Sequence, residues 1–219
     1  MPKVPSMEEI VSSIYDGVKN AWDNHYRFSL RKYWLWAAPE CYITSHIFDA
    51  LGELFKDFGH SLILEESIAN VLENSNGIYP GKYPSELKPE YRSDIAIYWN
   101  NETIRGIIEV KLLRSRSHDL KGISKDVRRI CEFLKLKDKV EKSENRRFTG
   151  QFGILVVYTD EHDNRKSARE KVENRLSKVE SLVSDKVNKN GLSFKKVRGI
   201  FEVPEVRSAW GVTIFLIKH

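Results

Sequence analysis

The segment from Ser93 to Leu113 constrains this chain more than any other. Seven residues from Ser93 to Trp99 and twelve from Glu102 to Leu113 flank the pair Asn100-Asn101. Both stretches alternate with period two, and an Asn pair tolerates the positive φ of a tight turn, so the spacing predicts a β-hairpin. With a two-residue loop, Trp99 faces Glu102 and Asp94 stands opposite Ile107. Asp94, Glu109 and Lys111 then share one face, with Asp94 diagonal to Glu109. Ile95, Ile97, Trp99, Ile104, Ile108, Val110 and Leu112 make the other face wholly apolar. One face is core; the other gathers two carboxylates and an ammonium. A one-residue change in loop length would carry Asp94 to the opposite face and dissolve the cluster.

Two carboxylates at close range repel, so one takes up a proton unless a cation lies between them. Hard oxygen ligands of this kind suit Mg²⁺, which binds through one or two carboxylates plus substrate phosphate. A lysine two residues along the strand points at the same spot and can stabilise negative charge developing on a phosphate. The bland alternative is an edge strand with solvated charges, since Glu-x-Lys is short and an upstream Asp is common. What favours chemistry is that the acids interrupt a strongly apolar hairpin on one face only.

Asp94 followed by Glu109-Val110-Lys111 resembles the bipartite motif of the PD-(D/E)XK nuclease superfamily, with Ser93 where that motif has a proline. The resemblance implies an α/β fold of the restriction-endonuclease type. Its αβββαβ core has a mixed central sheet flanked by helices, here with an N-terminal helix and a C-terminal helix and strands added. It implies Mg²⁺, or Mn²⁺ in its place, held by Asp94, Glu109 and the Val110 carbonyl, with Lys111 orienting or activating the attacking water. In the superfamily a Glu on the first core helix often joins the metal site, and Glu40 is the acid so placed. The implied activity is hydrolysis of DNA phosphodiesters, leaving a 5′-phosphate and a 3′-hydroxyl.

The order of elements can be read independently of the motif. Ile43, Ile47, Ala50, Leu51, Leu54, Phe55 and Phe58 recur at helical spacing, so a helix is expected from Glu40 to Phe58. Glu40 falls near the middle of that stripe, while a first-turn Glu also simply complements the helix dipole. His60 to Glu66 reads as a first strand whose Glu65 or Glu66 can replace Glu40 as the extra ligand. Val71 to Arg92, rich in Asn, Gly and Pro, reads as a long loop. After the hairpin, Ser124 reads as the cap of a helix to about Lys137, with Asp126 in its first turn and Val127, Ile130, Cys131 and Leu134 inward. Gln151 to Thr159 then reads as a buried parallel strand.

The flanks complete one expected domain: a helical extension over 1–38, the core over 39–160, and a helix with two strands over 161–219. Ser6 and Glu9 form a capping box ahead of Ile10, Ile14, Val18 and Trp22. Arg31 to Trp36 mixes basic and aromatic residues that suit either base stacking or a local core. Val172, Leu176, Val179 and Val183 seam a charged helix from Arg165 to Asn188, and Phe194 to Val203 and Trp210 to Ile217 read as terminal strands.

The chain of 219 residues carries a net charge of +5, and its two cysteines and six histidines show no disulfide framework or zinc spacing. No leader or membrane span is expected, and a reducing, cytoplasmic setting is. Between Arg105 and Arg147, fourteen Lys and Arg face seven Asp and Glu, a basic excess suited to phosphate. Arg114, Arg116, Lys125, Arg128 and Arg129 are the expected phosphate contacts. A homodimer is a further expectation, since cutting both strands generally takes two sites. A catalytically silent DNA-binding or assembly subunit of the same fold is the alternative, and a basic α/β protein recognising RNA or protein ranks after it.

Overall fold

The computed structural model describes residues 4–29, 38–75, 77–78, 82–114, 117–142, 148–162, 167–203 and 207–219. The order within them is α1 (Met7–Phe28), α2 (Glu40–Phe55), β1 (Ser61–Ser67), α3 (Ile68–Asn74), β2 (Gly77–Ile78), β3 (Arg92–Tyr98), β4 (Ile104–Leu112), α4 (Ser117–Lys139), β5 (Glu141–Lys142), β6 (Phe152–His162), α5 (Ala168–Lys189), β7 (Ser193–Val203) and β8 (Ser208–Lys218).

Six strands form one open mixed sheet in the order β1-β3-β4-β6-β8-β7, and β2 with β5 makes a separate small pair. β4 and β6 run parallel, joined over the sheet by α4, and the other neighbours are antiparallel. The alternation of each central strand feeds two cores. Ile95, Ile97, Ile108, Val110, Ile154 and Val156 pack under α1 and α2, meeting Ile14, Ile43, Ile47 and Leu51. Ala96, Tyr98, Ile107, Leu155 and Val157 pack under α3, α4 and α5, meeting Val71, Val127, Ile130, Leu176 and Val179. The face carrying Asp94 and Glu109 is therefore a second core, where the sequence suggested an open polar side.

The hairpin between β3 and β4 differs from its expected form in two ways. Its loop holds three residues, because Trp99 N–H donates to the Thr103 carbonyl and Glu102 N–H to the Trp99 carbonyl, each at 2.9 Å. Glu102, not an Asn, takes the left-handed conformation at φ 63° that ends this kind of loop. Alone, that odd length would turn Asp94 away. β4, however, carries an extra residue: Ile97 pairs with Gly106 while Tyr98 pairs with Ile104, leaving Arg105 as a bulge. The two single offsets add to an even shift, so the shared face survives and the register moves. Ile95 now pairs with Ile108, which sets Asp94 directly across from Glu109 instead of diagonal to it.

Only the turn side of the bulge changes face. Ile104 joins Ile107 in the core beneath α4, against expectation. Arg105 takes its former side, buried with its guanidinium 4.5 Å from the Trp99 ring centre and donating to the Pro5 carbonyl at 2.7 Å.

Other boundaries moved less. The capping box of α1 forms, with Ser6 N–H on Glu9 at 2.7 Å and Glu9 N–H on Ser6 at 3.2 Å. α2 ends at Phe55, short of Phe58. The expected loop from Val71 holds most of α3, capped by the Ser67 hydroxyl, and β2. α4 begins at Ser117, so Ser124 is not its cap and Asp126 lies well inside the helix. It docks closely on β6, where a Cβ added to Gly153 would fall 2.3 Å from Ile130 Cγ2. The seam of α5 is buried as expected, and the terminal strands extend the sheet through β6. Arg31 to Trp36 lies outside the described residues.

Candidate active site

The charged residues meet toward the carboxyl end of β4, the end of parallel strands outside which open α/β sheets bind ligands. Asp94 enters from the start of β3, and its Oδ2 accepts the Val110 N–H at 2.6 Å. Glu109 and Lys111 follow each other on one face of β4, which pairs them with Leu155 and Val157 of β6. Glu40 arrives from the first turn of α2 in the opposite layer. Its Oε1 accepts from the Lys111 ammonium at 2.9 Å and its Oε2 from the Leu112 N–H at 3.0 Å. Glu40 thus ties α2 to the end of β4 as well as complementing the dipole of its helix.

Two residues of α4 complete the cluster, and neither was assigned to it from the sequence. Asp126, only 4 % exposed, places Oδ1 3.2 Å from Arg129 Nη1 and Oδ2 3.8 Å from the Lys111 ammonium. Arg129 Nη1 also donates to Glu109 Oε1 at 3.0 Å, and its guanidinium lies 5.2 Å from the Tyr91 ring centre. Arg129 was expected as an outward phosphate contact; it is committed inward instead, because buried Glu109 demands a counter-charge. Charges of alternating sign thereby run from Glu40 through Lys111, Asp126 and Arg129 to Glu109.

The signal for Asp126 lay in helical phase. It stands three residues after Ile123, four before Ile130 and seven before Phe133, all fully buried, and so falls within the apolar side. Reading Ser124 as a cap hid that phase by making Asp126 look like a first-turn acid.

Four carboxylates against two cations leave the cluster short of positive charge. Burial pushes the Asp94 carboxyl up to about 6, with Val110 N–H and Lys111 pulling it down and Glu40 and Glu65 pushing further up. Burial also drives Glu109 well above the ordinary carboxylate range, against the pull of Arg129. Asp126 moves up for the same first reason, opposed by Lys111 and Arg129. Burial alone would lower Lys111, but Asp126 and Glu40 more than offset it and raise the ammonium above its ordinary value. These shifts describe a site that favours an added cation or bound protons.

Glu65 stands level with Asp94, between the pairs Leu64–Ile95 and Glu66–Ser93, and takes a left-handed φ of 54° in mid-strand. A non-glycine residue held there is strained, as residues at functional sites often are. Glu66 is buried and accepts from Ser67 N–H at 3.0 Å. Of the two acids proposed as substitutes for Glu40, Glu65 is the one whose charge acts on Asp94.

Of the expected phosphate contacts, Arg114, Lys125 and Arg128 are exposed, Arg128 with Glu86 at 3.4 Å, and Arg116 lies outside the described residues. As the side chains stand, no three His, Cys, Asp or Glu among the described residues converge tightly enough to hold a metal ion. Lys111 and Arg129 interleave the carboxylates. The donor set itself fits Mg²⁺ or Mn²⁺: hard carboxylate oxygens, a main-chain carbonyl at Val110, and an excess of negative charge.

No family model matches the chain. Neither a curated protein nor a solved structure matches it.

Proposed function

We propose that this chain is a metal-dependent DNA endonuclease of the PD-(D/E)XK type. The observation that carries the reading is the placing of Asp94 directly across from Glu109, with Lys111 two residues on and Glu40 closing from α2. The succession α2, β1, β3, β4, α4, β6 supports it, being the helix, three strands, helix and strand of that fold with α3 and β2 inserted. In this reading Asp94, Glu109, the Val110 carbonyl and Glu40 hold the cation. A bound Mg²⁺ supplies charge neutralisation at the scissile phosphate. Val110 N–H fixes the Asp94 carboxylate, and Lys111, held by Glu40, orients the attacking water. Lys125, Arg128 and Arg114 form the exposed basic approach for the DNA backbone.

The test is cleavage of supercoiled, linear and single-stranded DNA with Mg²⁺, Mn²⁺ or EDTA, alongside Glu109→Ala and Lys111→Ala. Metal-dependent cutting lost in both variants, with DNA binding by Lys111→Ala largely kept, is the expected result. Undiminished cutting by Lys111→Ala refutes its assigned role. One observation favours the silent subunit: Lys111 and Arg129 already partner the carboxylates. That alternative predicts no thermal shift with Mg²⁺ or Mn²⁺ that Glu109→Ala removes, whereas the nuclease shows one.

A further inference from the structure

We propose that Asp126 is the positioning residue of the site, holding the Lys111 ammonium from α4 without touching metal or DNA. This rests on the nuclease reading and adds to it a residue outside the motif. Asp126 is the one carboxylate in the cluster paired with both cations, Lys111 and Arg129. Its backbone is fixed by Ile123, Val127 and Ile130, all fully buried, and Ile130 is seated on Gly153 of β6. A rigid helix therefore aims it.

The geometry leaves Asp126 a task undone. Its Oδ2 is buried with no hydrogen-bond partner, and the Lys111 ammonium stands 3.8 Å away. A buried carboxylate oxygen without a donor is costly, and a shift of the ammonium by about an ångström turns this ion pair into a charge-assisted hydrogen bond. Glu40 holds Lys111 from the other side at 2.9 Å but is itself 36 % exposed and, in the nuclease reading, a metal ligand. When Glu40 turns to a cation, the grip on Lys111 passes to Asp126. A lysine side chain otherwise has freedom enough to lose a catalytic geometry, because small misplacements at a reacting centre cost large factors in rate.

The experiment uses the full chain as Asp126→Asn, which keeps shape while removing charge, with Asp126→Glu as the charge-restoring variant. Cleavage is measured on the substrate that wild type cuts, with Mg²⁺ titrated. For Asp126→Asn, kcat should fall by about tenfold or more while KM and the Mg²⁺ dependence stay within about twofold. Asp126→Glu should recover part of kcat. Unchanged kcat in a folded Asp126→Asn protein overturns the proposal, and a large change in Mg²⁺ dependence does too, since it makes Asp126 a ligand. The second readout needs no activity: the nitrogen resonance of the Lys111 ammonium, assigned through Lys111→Ala. It should move or broaden in Asp126→Asn, and an unmoved resonance also overturns the proposal. If wild type cuts no nucleic acid but that resonance responds, the nuclease reading fails while the grip of Asp126 stands.

Discussion

At the start of β3, burial pushes the Asp94 carboxyl up to about 6 from its ordinary 3.8, so between those values the folded chain binds a proton that the unfolded chain has released. Stability contributed by that proton is complete below about pH 4 and is lost as pH rises through about 6. Glu109 and Asp126, also raised, act in the same direction. Asp94→Asn removes one part of this and should flatten the fall in unfolding free energy between about pH 4 and 6 by about 2 kcal/mol, measured by urea unfolding in EDTA. Curves for wild type and variant that stay parallel over that window would sink the assignment. Residues at this scale were legible where type and phase agreed. Glu40 lay in the apolar stripe of α2, and Lys111 lay two residues from Glu109. Arg129 was not legible, because an arginine's choice between solvent and a buried carboxylate is settled only by tertiary packing.

Among the elements, the hairpin shows how sequence pattern can be right in outcome through a different route. Period two placed Asp94, Glu109 and Lys111 together, and they are together, yet the loop is odd and a bulge at Arg105 restores the parity. Alternation records which face a residue takes but not where register slips, so the bulge was invisible. The start of α4 was hidden for another reason. Ser124 read as a helix cap, and burial of Ile123 and Val127 against the sheet carries the helix through that position. The docking of that helix supports a test of its own. Gly153→Ala sets a methyl 2.3 Å from Ile130 Cγ2, so the Ile130 side chain or α4 must shift. Loss of about 1–3 kcal/mol of stability is expected by denaturant unfolding and, in the nuclease reading, a fall in cleavage beyond what the remaining folded fraction explains. Full stability in that variant would mean that the contact of Ile130 with Gly153 does not fix α4.

At the scale of the whole molecule, the basic side chains around the site divide between two tasks. Lys111 and Arg129 serve buried acids, while Lys125 and Arg128 lie exposed on the outer side of α4. In the nuclease reading, Lys125 and Arg128, with Arg114, contribute to salt-dependent DNA binding while Lys111 and Arg129 do not. Lys125→Ala with Arg128→Ala should weaken binding and reduce the slope of log affinity against log salt by about two. An unchanged slope would move the DNA path elsewhere. Among the described residues no helix is long and apolar enough to cross a membrane.

The cluster also straddles the two cores, drawing Glu40 from the layer of α1 and α2, and Asp126 and Arg129 from the layer of α4. A molecule with one layer docked has half of a site. In the nuclease reading, the chain stays inert during its own synthesis and after partial unfolding, because the site exists only while both layers close on the same strand. Damage to either layer silences it without any inhibitor.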